Sequence, residues 1–230
     1  MNKEIAVIMA AGLGSRMRPL TDTTPKPLVK VRGKSMIETI IDGLIKRGIN
    51  EIYVVVGYLK EQFVSLLDRY PQIQLIENPD YLVKNNISSV YAARDVIRVA
   101  DCFICEADLV VSDASIFLAD LPESCYYGKM VSGYSQDWVF DLSDGYISRV
   151  GKGGIDTYNM VGISYFKQKD AQVLISAIEQ AYAVETNKNL YWDEVVDRNL
   201  DKLRLRIHPV ESHQIIEIDT MEELAIVNDQ

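Results

Sequence analysis

Hydrophobic and polar positions along this chain follow two alternating rhythms. Residues 4–9 (EIAVIM) form a short apolar run that leads into Ala10-Ala11-Gly12-Leu13-Gly14, the pattern of a buried strand followed by a glycine turn. Residues 35–48 open with Ser35 and Glu38 at capping-box spacing, stay amphipathic, and close at Gly48, which predicts a helix. The β-branched run 51–56 (EIYVVV) predicts a second strand ending at Gly57, residues 61–69 a second helix, and 73–76 a short strand. Residues 88–98 read as helix, and 102–105 (CFIC) as a fourth strand, buried on both faces, that ends at Glu106-Ala107-Asp108.

Strands alternating with helices predict an α/β fold with a central, mostly parallel sheet flanked by helices. Right-handed crossovers then bring the loops after the strands to one rim, where open α/β sheets bind ligands. The glycine turn, Gly57-Tyr58 and Asp108 all fall in such loops. From residue 126 the texture changes. Residues 126–134, 146–150 and 159–166 look like strands with short polar breaks, which predicts a small antiparallel extension. Helices are expected over 169–184, 193–200 and 221–227, and strands over 203–208 and 215–218. The 230 residues read as a single domain with two halves, about 1–125 and 126–230.

Composition narrows the function classes. With 48% hydrophobic and 25% charged residues the chain is an ordinary globular one, and no apolar run approaches the roughly 20 residues that cross a bilayer. Met1-Asn2-Lys3-Glu4 enters a strand at once and lacks a secretory profile, so the expected location is cytoplasmic with no membrane insertion. The net charge of −9 argues against a nucleic-acid partner. That charge is uneven: residues 1–34 sum to +5 and the remainder to −14, which suits a local anion site. Cys102 and Cys105 have C-x-x-C spacing, but a strand points them to opposite faces, and no second pair or nearby histidine completes a zinc set; with Cys125 they read as small buried hydrophobes. His208 and His213 lie outside every motif and read as surface or strand residues.

The candidate chemistry starts at Ala10, Ala11, Gly12, Gly14, Ser15 and Arg16, followed by Arg18-Pro19-Leu20-Thr21 and Pro25-Lys26-Pro27-Leu28. Small residues after a strand let backbone N–H groups surround phosphate oxygens; Arg16 adds a bidentate donor and Lys26 a point charge. The spacing is neither that of a P-loop nor G-x-G-x-x-G. Asp108 stands just past a buried strand, while Glu217 and Asp219 alternate so that both face one side. Carboxylates converging on phosphates from distant strands would make a hard-cation site. Asp219-Thr220 also stands where the last helix would be capped.

The segments AAGLGSRMRPLT…TPKPLV, GINEIYVVVGYLKEQF, NPDYLVKNNISSVY, NLYWDEVV and IIEID together resemble the sugar-phosphate and choline-phosphate nucleotidylyltransferases over nearly the whole chain. The later segments resemble the bacterial CTP:phosphocholine cytidylyltransferases in particular. This resemblance implies a Rossmann-like nucleotidyltransferase fold, CTP and phosphocholine as substrates, CDP-choline and pyrophosphate as products, and Mg2+ as cofactor. Lys26, Arg16 and Asp108 would be catalytic, and Asp108, Asp219 and Glu217 would hold the metal. Gly57, Tyr58, Asn85, Asn86 and Ser88 would join the glycine turn around the nucleotide, with Asn78, Tyr81 and Ser89 in the same base-reading loop.

For the acceptor, Trp138, Tyr191, Trp192 and Asp193 would form an aromatic cage with a carboxylate, since a quaternary ammonium donates no hydrogen bond. Trp192 at its helical spacing reads equally as core. Lys152, in Gly151-Lys152-Gly153-Gly154, either grips the acceptor phosphate or rides a flexible turn. Asn189 stands where the choline enzymes are expected to carry an acid, so phosphoethanolamine competes with phosphocholine. A sugar-1-phosphate acceptor and a non-catalytic nucleotide-binding role are the other readings, and a homo-oligomer stays open.

Overall fold

In the computed structural model, which describes residues 3–229, the first half of the chain supplies most of the parallel strands. Met1 and Asn2, part of the N-terminal segment read above for its lack of a secretory profile, lie outside the described residues. In chain order come β1 (Glu4–Ala10), the short arms β2 (Lys30–Val31) and β3 (Lys34–Ser35), α1 (Met36–Arg47), β4 (Ile52–Val56) and α2 (Val64–Leu67). Then follow β5 (Ile73–Glu77), α3 (Ile87–Ala92), α4 (Arg94–Ile97), β6 (Asp101–Glu106) and β7 (Leu109–Val111). The second half adds β8 (Cys125–Ser143), β9 (Tyr146–Phe166), α5 (Gln168–Tyr182), α6 (Trp192–Asp197), β10 (Arg206–Pro209), β11 (Ile215–Glu217) and α7 (Met221–Asn228).

Seven strands form the main sheet in the order β10-β8-β9-β6-β1-β4-β5. β5, β4, β1 and β6 run parallel, β9 is antiparallel to both β6 and β8, and β10 is parallel to β8. The period-two alternation of β1 explains the two cores. Ala6, Ile8 and Ala10 face the cluster that includes Ile37, Ile40, Ile41 and Leu44 of α1, while Ile5 and Val7 face the cluster that includes Val90 of α3 and Leu174 of α5. Cys105 and Cys102 divide between the same two clusters, and all three cysteines are buried and unpaired, as expected. At the start of α1 the Glu38 carboxylate accepts the Ser35 backbone N–H at 3.1 Å, and Gly48 ends the helix at φ 99°.

Several expected elements differ, among them the strand over 203–208, which is β10 at Arg206–Pro209. The helix over 61–69 is one α turn, α2, after a 3-10 turn at Lys60–Phe63, because the Arg69 and Tyr70 N–H groups both close on the Leu66 carbonyl. The helix over 88–98 breaks at Ala93 into α3 and α4. The apolar stripe Ile87, Val90, Ala93, Ile97 stays buried through the break, so periodicity does not register it. The strands expected over 126–134, 146–150 and 159–166 fuse into the long hairpin β8–β9, whose ladder carries polar residues through the supposed breaks, including Trp138 opposite Lys152. A second, two-stranded sheet pairs β11 antiparallel with β7, setting Glu217 opposite Leu109. Among the described residues, no helix is long and apolar enough to cross a membrane.

Candidate active site

The carboxyl ends of β1 and β6 open into a cavity of about 690 Å³ that spans both halves of the chain. At its floor Ala10 and Ala11 leave β1 and Gly12 turns along the wall, with no atom within 4 Å of where its Cβ would stand. Gly14 follows at φ 61°, and a Cβ there would lie 2.8 Å from Lys26 Cβ. Both the left-handed backbone and the close approach therefore require glycine. The Thr21 hydroxyl donates to the Gly14 carbonyl at 2.9 Å and holds the turn against the segment that carries Lys26.

Lys26 is held by its own site. Its ammonium donates to Asp108 Oδ2 at 2.7 Å and Asp219 Oδ1 at 2.6 Å, and its side chain is only 9% exposed. Arg16, largely in solvent, reaches the other Asp219 oxygen at 2.6 Å. Burial is the largest influence on Lys26 and pulls its pKa down, but the Asp108 and Asp219 carboxylates outweigh it and the net shift is upward. Local backbone bonds set up this convergence. The Ile218 N–H donates to the Asp108 carbonyl at 3.1 Å, so the β7–β11 pairing draws the end of the chain onto the residue after β6. Thr220 caps α7 by accepting the Glu223 N–H at 3.2 Å, and Glu223 reciprocates on the Asp219 and Thr220 N–H groups, which leaves the Asp219 carboxylate for Lys26 and Arg16.

Glu106, Asp108 and Glu217 bring carboxylate oxygens within 4.8 Å of one another. Burial, then the Asp108 and Asp219 charges, push Glu217 up to about 7; burial, then Asp108, raises Glu106 well above its ordinary range. Asp108 Oδ1 is buried without a hydrogen-bond partner. Crowded acids and an orphaned oxygen fit a hard cation. Glu106 was not singled out from the sequence, although it closes an apolar strand as Asp108 nearly does. Gly162 of β9 (φ 74°) passes beside it, where a Cβ would stand 3.1 Å from Glu106 Oε2.

Asn85, Asn86 and Ser88 also line the cavity, with Tyr81. Buried Asn78 braces this loop by donating to the Ser88 and Ser89 hydroxyls at 2.9 and 3.2 Å. The lining also includes Asp137, Trp138, Lys152, Tyr191 and Asp193. Trp138 and Tyr191 meet edge to face at 5.5 Å, and the Lys152 ammonium lies 5.8 and 5.9 Å from the two ring centroids. Asp137, also missed in the sequence, is oriented by the Asn159 amide, which donates to it at 3.1 Å. Asp193 is buried and accepts the Tyr126 hydroxyl at 3.0 Å; burial lifts its carboxyl to about 7.

Five expected site residues are not at the wall. Trp192 is 3% exposed, stacks on Tyr126 at 5.8 Å and meets Phe166 edge-on, so it is core rather than cage. Helix α6 turns its first side chain under β8 and β9, where indole area is worth more than at a wet rim. Ser15 sits in a 3-10 turn off the wall, and Gly57 and Tyr58 stand behind it. Tyr58 N–H donates to the Ala11 carbonyl at 3.1 Å, and a Cβ on Gly57 would strike the Tyr81 ring at 2.7 Å and the Ala11 oxygen at 2.9 Å. Both brace the turn from behind. Lys26 also lies just behind the wall, tethered to it by Asp108 and Asp219. His208 packs on Tyr127 at 4.5 Å, away from the cavity.

Comparison with known proteins gives consistent matches. The family described as nucleotidyl transferase matches residues 5–128. The 2-aminoethylphosphonate cytidylyltransferase of Lancefieldella rimae is 56% identical over 97% of this chain and 91% of its own length. The choline-phosphate cytidylyltransferase of Streptococcus pneumoniae is 34% identical over 95% of this chain and 94% of its own. A solved structure of the CTP:phosphocholine cytidylyltransferase from Streptococcus pneumoniae superposes with a TM-score of 0.91 at 32% identity, covering 99% of this chain and 98% of that one.

Proposed function

The chain belongs to the nucleotidyl transferase family, and from that premise we propose that it is a cytidylyltransferase joining the CMP of CTP to a small phosphorus acid that bears a primary amine. 2-Aminoethylphosphonate is the first candidate acceptor. The observation that carries the reading is the Lys26–Asp108–Asp219 cluster, whose carboxylates line the same cavity as the glycine turn, Asp137, Asp193 and the Trp138–Tyr191 pair. A primary ammonium donates three hydrogen bonds, which Asp137 and Asp193 can accept, and the protein with 56% identity carries that acceptor in its name. Phosphocholine is the second reading. The Trp138–Tyr191 pair favours it, but with Trp192 withdrawn into the core and Lys152 already against both rings the cage is smaller than a trimethylammonium would want.

In the reaction an acceptor oxygen attacks the α-phosphorus in line; one P–O bond forms, the α–β bridge breaks and pyrophosphate leaves. A phosphonate or phosphate-monoester acceptor carries at least one ionised oxygen at neutral pH, and the monoester's second pKa is about 6, so the chain need supply no general base. That agrees with both histidines lying outside the cavity lining. Arg16, exposed at the rim, forks onto the triphosphate oxygens, and Lys26 neutralises charge building on the bridging oxygens once released from its carboxylates. The turn at Gly12 offers close backbone approach to phosphate. Asp108, Glu106 and Glu217, with Asp219 nearby, would hold a divalent cation such as Mg2+, whose contribution when bound is charge neutralisation of the triphosphate.

The test is a panel of four nucleoside triphosphates against 2-aminoethylphosphonate, phosphoethanolamine, phosphocholine and glucose-1-phosphate, with and without Mg2+, read as pyrophosphate release. CTP with an amine-bearing acceptor and metal is the expected active combination. Turnover of a sugar phosphate with UTP, and of no amine, would overturn the reading.

A further inference from the structure

Asn85 and Asn86 sit on the loop expected to read the nucleotide, yet both carboxamides bond the backbone of the segment that precedes and opens α6. Asn85 Nδ2 donates to the Asn189 carbonyl at 3.1 Å, and its backbone N–H donates to the Lys188 carbonyl at 2.8 Å. Asn86 Oδ1 accepts the Trp192 N–H at 3.1 Å. These bonds join segments more than a hundred positions apart in the sequence.

The segment they hold carries Tyr191 and Asp193 into the acceptor end of the cavity. Its other ties lie at its far end: the Trp192 indole is buried against Tyr126 and Phe166, and Asp193 accepts the Tyr126 hydroxyl. Between α5 and α6 it contains one 3-10 turn, Glu185–Asn187, and no strand pairing. Trp192 N–H is the first of a six-residue helix, whose opening N–H groups find no acceptor inside the helix; the Glu194 carboxylate accepts the Tyr191 N–H at 2.8 Å, and the Trp192 N–H goes to Asn86. Asn86 therefore caps α6 from another part of the fold. The adjoining contacts run between the same two stretches: the Lys84 ammonium donates to the Tyr182 carbonyl at 2.7 Å, and Tyr182 stacks on Tyr91 at 3.7 Å.

We infer that Asn85 and Asn86 are positioning residues for the acceptor, holding Tyr191 and Asp193 at the cavity wall through the 188–192 segment. The inference rests on the acceptor end being the one assigned under the proposed function. It does not depend on which amine-bearing acid is the natural substrate.

The experiment compares Asn86→Ala, Asn86→Asp and Asn85→Ala with the unaltered enzyme, measuring KM for CTP and for whichever acceptor that enzyme turns over. Asn86→Ala should raise the acceptor KM about tenfold and the CTP KM less than threefold. Asn86→Asp keeps an oxygen that accepts from Trp192 N–H and should return the acceptor KM to within about threefold. Asn85→Ala should resemble Asn86→Ala. A CTP KM that rises as much as the acceptor KM, or an aspartate that rescues nothing, would overturn the inference. Amide exchange across 188–193, measured without substrates, should quicken in Asn86→Ala and not in Asn86→Asp. That readout separates failure of this inference from failure of the functional reading, because it survives if the enzyme turns over none of the acceptors; unchanged exchange would overturn the positioning role directly.

Discussion

The Lys26 ammonium lies 2.7 Å from an Asp108 carboxylate that is 82 residues away in the chain. With Asp219 on its other side, the lysine fills a place between two acids that a triphosphate-bound cation would contest. Replacing it should therefore affect both turnover and stability. Lys26→Met should lower kcat by about a hundredfold or more, the scale of removing one group that stabilises developing charge. The melting temperature should also fall, because the partly buried Asp108 loses its counter-charge and Asp219 keeps only Arg16. Pyrophosphate release and a thermal melt on the same preparation check both; full turnover in the variant would remove Lys26 from the mechanism.

Gly12 and Gly14 are two positions apart and should respond differently. Gly14→Ala places a Cβ 2.8 Å from Lys26 Cβ at φ 61°, so about 1–2 kcal/mol of stability should go, with activity falling as Lys26 shifts. Gly12→Ala meets nothing within 4 Å and should leave the urea midpoint unchanged while raising KM for CTP. Equal effects on the midpoint would mean the two glycines do not divide into a packing role and a ligand-approach role.

The two tryptophans separate the same way. Trp192→Ala empties a core position between Tyr126 and Phe166 and should cost about 3–5 kcal/mol. Trp138→Ala, at the cavity wall, should cost little stability and weaken acceptor binding severalfold, in the range of one cation–π contact. Chemical denaturation and acceptor titration of both variants provide the comparison.

Asp193 makes a pH prediction. Burial raises its folded-state pKa to about 7, from the ordinary 3.8 of a free aspartate. The folded state thus binds this proton more tightly than the unfolded chain does, and the associated stability is complete below about 4 and lost as pH rises through 7. Asp193→Asn should lose less stability between pH 5 and pH 8 than the unaltered protein. Parallel urea midpoints across that interval would show that Asp193 ionises without penalty.

Much of the site was legible because its signals are local. The glycine turn after β1, the strand–helix alternation and the end of β6 at Glu106-Ala107-Asp108 each depend on residues adjacent in the chain. Trp192 was not legible. An aromatic at a helix start serves equally as core or cage, and the choice follows from how α6 packs beneath β8 and β9. Glu106 and Asp137 were missed for a related reason: one sits inside an apolar run, the other in a polar break, and neither spacing reveals a shared cavity.

By itself the sequence determined most element types, the glycine turn after β1 and the rim on which the phosphate-binding groups would gather, since turn chemistry and hydrophobic period are short-range properties of the backbone. The tertiary structure alone decided the pairings: Lys26 with Asp108 and Asp219, Glu106 with Glu217, Asn86 with Trp192. Those contacts come from strand order, β-ladder register and the helices laid over them, and no residue carries information about a partner that folding has yet to bring beside it.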